Sequence, residues 1–198
     1  MSINFKAKFE FSHYVDTENI RIIPKATSNN KVPKHRFSLY VPYKGRKRGP
    51  VATVIMFNPS KAGLRDEQGR IISDFTIYNV LQYLYHRKER FKAVKIINLF
   101  SSYSTSPKNL SISNPHQQRN NKVLIQMIEK LNYEKGDKLI LAWGDLPNDA
   151  TYNNQITFLK SVIGDQPVFH VVDPYRKSLT PQHGSRWTDY EELTPFNF

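Results

Sequence analysis

Three polar side chains stand where a protein could carry out bond-breaking chemistry. Asn58 follows the apolar run 54–57, where its amide could position a water, polarise a leaving group or cap its own turn. Asn98 ends a second apolar run, where an amide that donates and accepts at once suits a base edge or a turn cap. His183 lies in a loop of small residues beside Arg186, a setting that favours a functional role.

Carboxylates offer a different chemistry. Asp66, Glu67 and Asp74 could hold a magnesium ion, as in a nuclease; the alternative makes two of them surface groups and Asp74 a helix cap. The six histidines are scattered, with no pair at metal-ligand spacing on one element. Neither the dinucleotide fingerprint nor the Walker pattern occurs. The sequence therefore predicts no metal and no cofactor.

The charge points to a polyanionic partner. The chain of 198 residues carries a net charge of +12 with a pI of about 9.8. Because phosphates attract such a surface whatever the base sequence, we expect a polyanion as the partner, with general solubility as the alternative. Cations cluster in KGRKRG (44–49) and HRKERFK (86–92). The expected DNA contacts in the first cluster are Lys44, Arg46, Lys47 and Arg48.

Composition narrows the class of protein. Hydrophobic residues make up 39% of the chain, no apolar run could span a membrane, and the first residues lack a signal-peptide core. We expect a cytoplasmic monomer that does not contact membranes. The absence of cysteine excludes disulfides and thiolate metal sites.

The periodicity alternates between strand and helix along most of the chain. A strand at an edge of the sheet is predicted at 35–43, because Pro42 lacks an amide hydrogen, and buried strands at 51–57, 93–100, 138–144 and 167–172. Helices are predicted at 73–89, capped by Ser73 or Asp74, at 114–132, capped by Asn114, and at 149–163. The tail after Val172 reads as loop.

This order predicts an α/β fold. We expect a three-layer α/β/α sandwich around a mostly parallel four-stranded sheet, formed by residues 35–198, with residues 1–34 as an extension packed on that domain. Ligands bind beyond the carboxyl ends of such strands. The polar residues there are Asn58, Ser60, Asn98, the Trp143-Gly144-Asp145 stretch and the loop after Val172.

Several of these segments resemble known families. The segments RFSLYVPY, VIMFNPSKAG, SDFTIYN, VKIINLFSSYSTSPKNL, NPHQQRNN, DKLILAWGD and TPQHG resemble an uncharacterised bacterial and phage family over residues 35 to 187. The order of motifs resembles the uracil-DNA glycosylase superfamily. Asn58-Pro59, Asn98 and Trp143-Gly144 match three of its motifs, while His183-Gly184-Ser185 matches the His and Ser of a His-Pro-Ser motif but lacks the proline.

The resemblance implies a metal-independent DNA glycosylase that flips out and excises a pyrimidine. Asn58 would hold the attacking water, His183 would donate to the departing base, Asn98 would read the base edge, and Asp74 or Asp66 could assist. Phe75 or Phe100 would stack on the base. Further DNA contacts are expected from Lys61, Ser185, Arg186 and Trp187. Arg186 and Trp187 would enter the duplex; the alternatives are a phosphate contact for Arg186 and core packing for Trp187.

The departures from the superfamily bear on the substrate. Ser60 follows Pro59 where the uracil-specific branch has a tyrosine that excludes bulky groups at the base C5 position. The expected substrate is therefore a modified or damaged pyrimidine, such as glucosylated hydroxymethylcytosine in anti-phage defence, or uracil itself. A non-catalytic DNA-binding or inhibitory protein on the same fold and a metal-dependent nuclease stay open as alternatives.

Overall fold

A computed structural model describes residues 9–24, 35–103, 115–145, 149–172, 180–188 and 191–198. The strands are β1 (Phe9–Glu10), β2 (Arg21–Ile23), β3 (Ser38–Pro42), β4 (Val51–Met56), β5 (Ile72–Ser73), β6 (Ala93–Asn98), β7 (Lys138–Leu141), β8 (Val168–Val172) and β9 (Glu192–Pro195). The helices are α1 (Phe75–Tyr85), α2 (Pro115–Glu129) and α3 (Ala150–Ile163). No helix in this part of the chain is long and apolar enough to cross a membrane.

A mixed sheet of seven described strands organises the fold. Its order is β2-β3-β6-β4-β7-β8-β9, and the four strands from β6 to β8 are parallel. Apolar and β-branched residues fill β4 and β6 because strands covered on both faces need apolar side chains on both. The parallel core of four strands is thus confirmed.

The helices cover both faces of the sheet. α1 buries Ile77, Val80 and Leu84 against one face, in a cluster with Val54 and Ile96. α2 and α3 cover the other face, where Leu124 and Leu159 meet inward residues of β4, β6 and β7. The result is the three-layer α/β/α arrangement expected from the sequence.

Two predicted helix starts can be checked. The Asp74 carboxylate accepts a hydrogen bond from the Ile77 N–H at 3.0 Å, so Asp74 rather than Ser73 caps α1. Asp149 caps α3 by accepting from the Thr151 N–H at 2.8 Å. The predicted cap of α2, Asn114, lies outside the described residues. Helices and strands end one to four residues inside several predicted bounds.

The sheet is wider than the four strands predicted. β3 is not an edge strand, because β2 pairs with its outer side. Pro42 is tolerated there since β2 reaches only Tyr40, so the proline removes no bond of that ladder. The loop-rich tail likewise contains β9, which pairs antiparallel with β8. Short, half-exposed strands such as β2 and β9 carry little periodicity, and the sequence prediction missed both.

Residues 9–24 of the predicted extension contribute to the domain. They supply β2 to the main sheet and β1, which pairs with β5. Tyr14 and Val15 are buried in the core on the α1 side. This segment therefore packs on the domain as an integral part of its core.

The order of strands locates the crevice of the fold. From β4 the chain crosses by α1 to β6 on one side, then returns by α2 to β7 on the other side. Neighbouring connections that leave in opposite directions open a crevice at the carboxyl ends of the two strands between them. Here that crevice lies beyond β4 and β7. Asn58 follows β4, and Trp143-Gly144 follows β7.

Candidate functional site

The backbone around His183 is built from two close approaches. Gly144, at φ +79°, comes so near that a Cβ on it would lie 2.9 Å from the Cβ of His183. A Cβ on Gly184 would lie 2.5 Å from Val80 of α1. The Gly144 N–H also donates to the Pro181 carbonyl at 3.0 Å. These contacts seat His183 between the end of β7 and helix α1, at the crevice.

The imidazole of His183 has a defined hydrogen-bonding state. Its Nδ1 accepts from the Ser185 N–H at 3.3 Å, and the Ser185 hydroxyl lies 2.7 Å from the same atom. Burial and the nearby Arg186 lower the pKa of His183, while Asp74 acts in the opposite direction. The neutral ring is therefore favoured at neutral pH. Since Nδ1 accepts, its proton lies on Nε2, which is left as a donor.

The charge of Asp74 acts on both His183 and a buried arginine. One carboxylate oxygen of Asp74 caps α1, whereas Oδ2 is buried without a partner among the described residues. Arg36 is fully buried, and its guanidinium donates to the carbonyls of Ser60 and Ala62 at 3.0 and 2.7 Å. Burial lowers the pKa of Arg36, and the electrostatic effects of Tyr103 and Asp74 partly offset this. Arg36 thus fixes the turn that follows Asn58 and faces the charge of Asp74.

Asn98 is the least satisfied side chain of this region. It is 0% exposed, and neither its side-chain oxygen nor its nitrogen has a hydrogen-bond partner within the described ranges. Its backbone carbonyl is satisfied, since Asn120 donates to it at 2.9 Å. Because neither atom bonds to the backbone of the following turn, the turn-cap interpretation fails. An unpaired buried amide costs about 1–3 kcal/mol and calls for an explanation.

Register places Asn98 and the His183 seat on one face of the sheet. Asn98 pairs with Met56, and the preceding pair on that face, Val54 and Ile96, packs toward α1. The Met56 side chain lies 3.8 Å from the position of a Cβ on Gly184. The orphaned amide and Gly184, the residue after His183, therefore both lie beside Met56.

Other predicted site residues also lie at this carboxyl edge. Asn58 and Ser60 are half-buried in the turn after β4, and Lys61 beside them is exposed. Phe75 is 45% exposed at the start of α1, and its ring lies 5.8 Å from that of Phe9. Two of the residues predicted to contact DNA, Ser185 and Arg186, follow His183 closely in the chain, and Arg186 is exposed.

Two predicted contacts with DNA or base are wrong. Phe100 is 1% exposed and packs on the α2–α3 side of the sheet, 5.5 Å from the ring of Phe57. Trp187 is 4% exposed, lies against Tyr83, and donates to the Gln182 carbonyl at 3.2 Å. Core packing, the alternative named for Trp187, is what the structure shows. Trp143 is core as well.

The predicted basic loop does not lie at the site. Lys44, Arg46, Lys47 and Arg48 precede β4, at its amino end, whereas Asn58 follows its carboxyl end. Arg46 also donates to the carbonyls of Tyr85 and Phe91 at 2.9 and 3.0 Å, so its guanidinium is committed to the fold. The loop therefore lies at the opposite edge of the sheet from Asn58, and its role in DNA binding stays a prediction.

The carboxylates proposed for a magnesium site have other roles. The side chain of Asp66 accepts from the N–H groups of Gln68 and Arg70 and from the Arg70 guanidinium. Glu67 is exposed beside it, and Asp74 lies at the start of α1. In the described parts of the chain, no three His, Asp or Glu side chains cluster as metal ligands would.

Sequence reasoning missed Arg36 and the steric role of Gly144. A single arginine at the start of a strand gives no sign of burial, and only its contacts with the 60–62 carbonyls identify it. For Gly144 a signal existed, since a glycine directly after a buried strand often allows close backbone approach.

The comparisons identify a family without naming a chemistry. The family described as "Protein of unknown function (DUF1643)" matches residues 36–183, most of the chain, so the chain belongs to it. Comparison with curated proteins and with solved structures finds no match. The site must therefore be interpreted from its own residues.

The seat of His183 can be tested at Gly144. We expect Gly144→Ala to lose stability through the strain of a positive φ, about 1–2 kcal/mol, and more through contact with His183. Gly45→Ala is the matched control, since Gly45 has φ +72° and open space around it. Chemical denaturation and the NMR shifts of the His183 ring measure the difference. Equal losses, with unmoved His183 signals, would remove the steric argument.

The orphaned amide of Asn98 makes an unusual prediction. Asn98→Leu should raise the free energy of unfolding by about 1–2 kcal/mol, because it replaces an unpaired buried amide by a similar apolar volume. Urea denaturation of both proteins measures this. Asn120→Leu is the control and should destabilise, since that amide donates to the carbonyl of Asn98. A destabilised Asn98→Leu protein would show that the amide has a structural role.

The pKa of His183 predicts a pH effect on stability. Because the folded pKa lies below the ordinary 6.5, the unfolded chain takes up the proton first as the pH falls. The contribution of His183 to the free energy of unfolding is therefore complete above about pH 6.5 and is lost as the pH falls through the folded pKa. Relative to His183→Asn, the wild type should lose stability between pH 7 and 5. Subtraction of the two curves removes the effect of His170, whose pKa burial also lowers. Parallel curves would contradict the assignment.

Proposed function

We propose that this member of the DUF1643 family is a DNA glycosylase that excises a modified or damaged pyrimidine and leaves an abasic site. One observation carries the proposal: the buried amide of Asn98, unpartnered among the described residues, shares a sheet face with the seat of His183, whose Nε2 carries the proton. The amide suits recognition of a base, and the donor suits stabilisation of a departing one.

Breaking an N-glycosidic bond separates charge. As the bond stretches, the sugar becomes cationic and the base anionic, so catalysis lies largely in stabilising both. The Nε2–H of neutral His183 would donate to the oxygen of the departing base. Its Nδ1 is held by the Ser185 N–H, which fixes the ring for that donation. A nearby cation, Arg186, adds to the field that favours an anion.

Two other residues, Asp74 and Asn58, would act on the sugar cation and the water. The Oδ2 atom of Asp74 is buried without a partner in the described structure, and its negative charge would stabilise a cationic sugar. Asp66 is committed to Arg70, which leaves Asp74 as the carboxylate of this mechanism. Asn58 would hold the water, in a turn that Arg36 anchors through two carbonyls. Water attacking a cation needs little deprotonation, so an amide suffices.

Recognition of the base rests on three side chains. Asn98 would donate to and accept from the base edge. Phe75, exposed at the start of α1, offers a stacking surface. Ser60 is smaller than the tyrosine of the uracil-specific branch and would leave room for a group at the base C5 position. This supports a modified pyrimidine such as glucosylated hydroxymethylcytosine, with uracil as the simpler substrate. The exposed cations at this edge, Lys61 and Arg186, would contact phosphates beside the flipped nucleotide.

The order of motifs supports the same proposal. Asn58-Pro59, Asn98, Trp143-Gly144 and His183 occur in the chain order of the uracil-DNA glycosylase superfamily, and all lie at the carboxyl ends of the parallel strands. We propose a glycosylase of that type acting in defence against phages with modified DNA. A non-catalytic DNA-binding protein is the second candidate, favoured by the exposed cations of the loop 44–49.

The deciding experiment looks for abasic sites. Duplexes carrying uracil, hydroxymethylcytosine or its glucosylated form are incubated with the protein in EDTA and then heated in alkali. Cleavage that needs alkali establishes a glycosylase and identifies its base. Binding of every duplex without cleavage favours the non-catalytic protein. Cleavage that needs magnesium in place of EDTA favours a nuclease.

Variants of His183 separate its two roles. The Oδ1 atom of asparagine can replace Nδ1 as acceptor for Ser185, so His183→Asn should fold normally but lose the donor at Nε2. We expect about a 10²–10³-fold slower excision, the usual effect of removing one donor to a developing anion. His183→Gln keeps a donor near the Nε2 position and should lose less.

A matched pair of asparagines tests the water site. Asn58→Ala should slow excision by orders of magnitude, whereas Asn154→Ala on the exposed side of α3 should have no effect. DNA binding should persist in all these proteins. Single-turnover excision, measured with binding by fluorescence anisotropy, gives both quantities. Unchanged excision in both His183→Asn and Asn58→Ala would sink the proposed site.

A further inference from the structure

The two basic segments of the chain meet at one place. The loop 44–49 precedes β4, and the turn 86–92 precedes β6, the parallel neighbour of β4. Lys92 joins them, since its N–H donates to the Pro50 carbonyl and its carbonyl accepts from the Tyr43 N–H, both at 2.9 Å. Both segments therefore lie at the amino edge of the sheet.

Arg46 clamps these segments together. Its guanidinium donates to the carbonyls of Tyr85 and Phe91, and it stacks on the Tyr85 ring at 3.9 Å. Arg46 therefore stabilises the two segments that carry the other cations. Its three contacts tie the loop to the end of α1 and to the residues just before β6.

The backbone accepts strain to bring the segments close. A Cβ at Gly49, where φ is +125°, would lie 2.9 Å from the carbonyl oxygen of Arg90. Arg90 itself has φ +50°, a conformation uncommon for a residue with a side chain. A residue larger than glycine at position 49, or an ordinary negative φ at Arg90, would hold the two segments further apart. The surface they form is therefore defined by packing.

We call this surface the basic edge and define it by five exposed cations: Lys44, Lys47, Arg48, Lys88 and Arg90. None of them forms an ion pair within the described ranges, where both ion pairs belong to Arg70. The acidic residue of these segments, Glu89, is half-buried. Five unpaired cations held on two joined loops form a field that attracts a polyanion.

The basic edge lies far from the candidate site. The six residues of β4 separate the two, a distance of about 20 Å at the usual rise per residue. A straight duplex lying across the carboxyl edge would not reach the amino edge. The cations of the basic edge are thus available to a different segment of nucleic acid.

We propose that the basic edge binds the phosphate backbone of a second DNA segment, apart from the one at the carboxyl edge. The chemistry favours phosphate contacts without base recognition. The five cations are exposed, and the guanidinium of Arg46, which could otherwise bind a base edge, is committed to two carbonyls. The claim of a second segment rests on the proposed function, which puts the first at the candidate site. The protein would then hold two stretches of DNA at once.

Stoichiometry tests this directly. An unmodified 12-bp duplex is much shorter than the persistence length of DNA, about 150 bp, so it is too stiff to bend around the domain from one edge to the other. Titration by analytical ultracentrifugation should show two duplexes per wild-type protein and one per Lys47→Gln/Arg48→Gln variant. The matched control, Lys122→Gln/Lys160→Gln, removes two exposed cations from α2 and α3 and should still bind two.

Each other outcome is informative. If the wild type binds one duplex or none and the Lys47→Gln/Arg48→Gln change has no effect, the inference is overturned. Equal losses in this variant and the α2–α3 control would also overturn it, since net charge alone would then explain the binding. If the wild type binds one duplex and loses it in Lys47→Gln/Arg48→Gln but not in Lys61→Gln/Arg186→Gln, the basic edge stands. The proposed DNA contact at the candidate site then fails.

Discussion

The reversal of chain direction about β4 is the constraint on which the rest of the structure depends. Because the chain leaves β4 for β6 on one side and returns to β7 on the other, the loops after β4 and β7 separate and leave a crevice. Gly144 lies at that crevice and packs against His183. Asp74 caps α1, the helix that connects β4 to β6. A different strand order with the same residues would scatter these groups along the sheet edge.

Much of this arrangement follows from the sequence, and the misses have physical causes. Apolar runs predict the parallel strands, and cap chemistry predicts Asp74. Phe100 and Trp187 were misplaced because nearness to a strand end in sequence does not decide which side chains the core takes up. Chain order alone already locates the basic loop, because a loop that precedes a parallel strand lies at the amino edge, away from the crevice. Arg36 gave no signal, because its burial depends on carbonyls over twenty residues away.

The site is assembled from groups that the folded chain leaves poorly satisfied. The amide of Asn98, the Oδ2 of Asp74 and the Nε of Arg36 are buried without partners among the described residues. Each such group costs about 1–3 kcal/mol, a large part of the stability of an ordinary domain. A protein free to maximise stability would replace Asn98 by an apolar residue. Groups of this kind, gathered at the crevice of an α/β sheet, suit a ligand that supplies the missing partners.

The two arginines show how differently one residue type serves this fold. Arg36 is buried toward the crevice, where its charge faces Asp74 and its donors fix the turn after Asn58. Arg46 is half-exposed at the opposite edge, where its donors join two loops and leave other cations facing solvent. In both cases the guanidinium satisfies carbonyls that no strand or helix pairs, which a lysine with its single point charge would do less well. Shape at the crevice and charge at the basic edge are thus maintained by separate contacts. A change at one edge can therefore alter the capture of DNA while the geometry around His183 is kept.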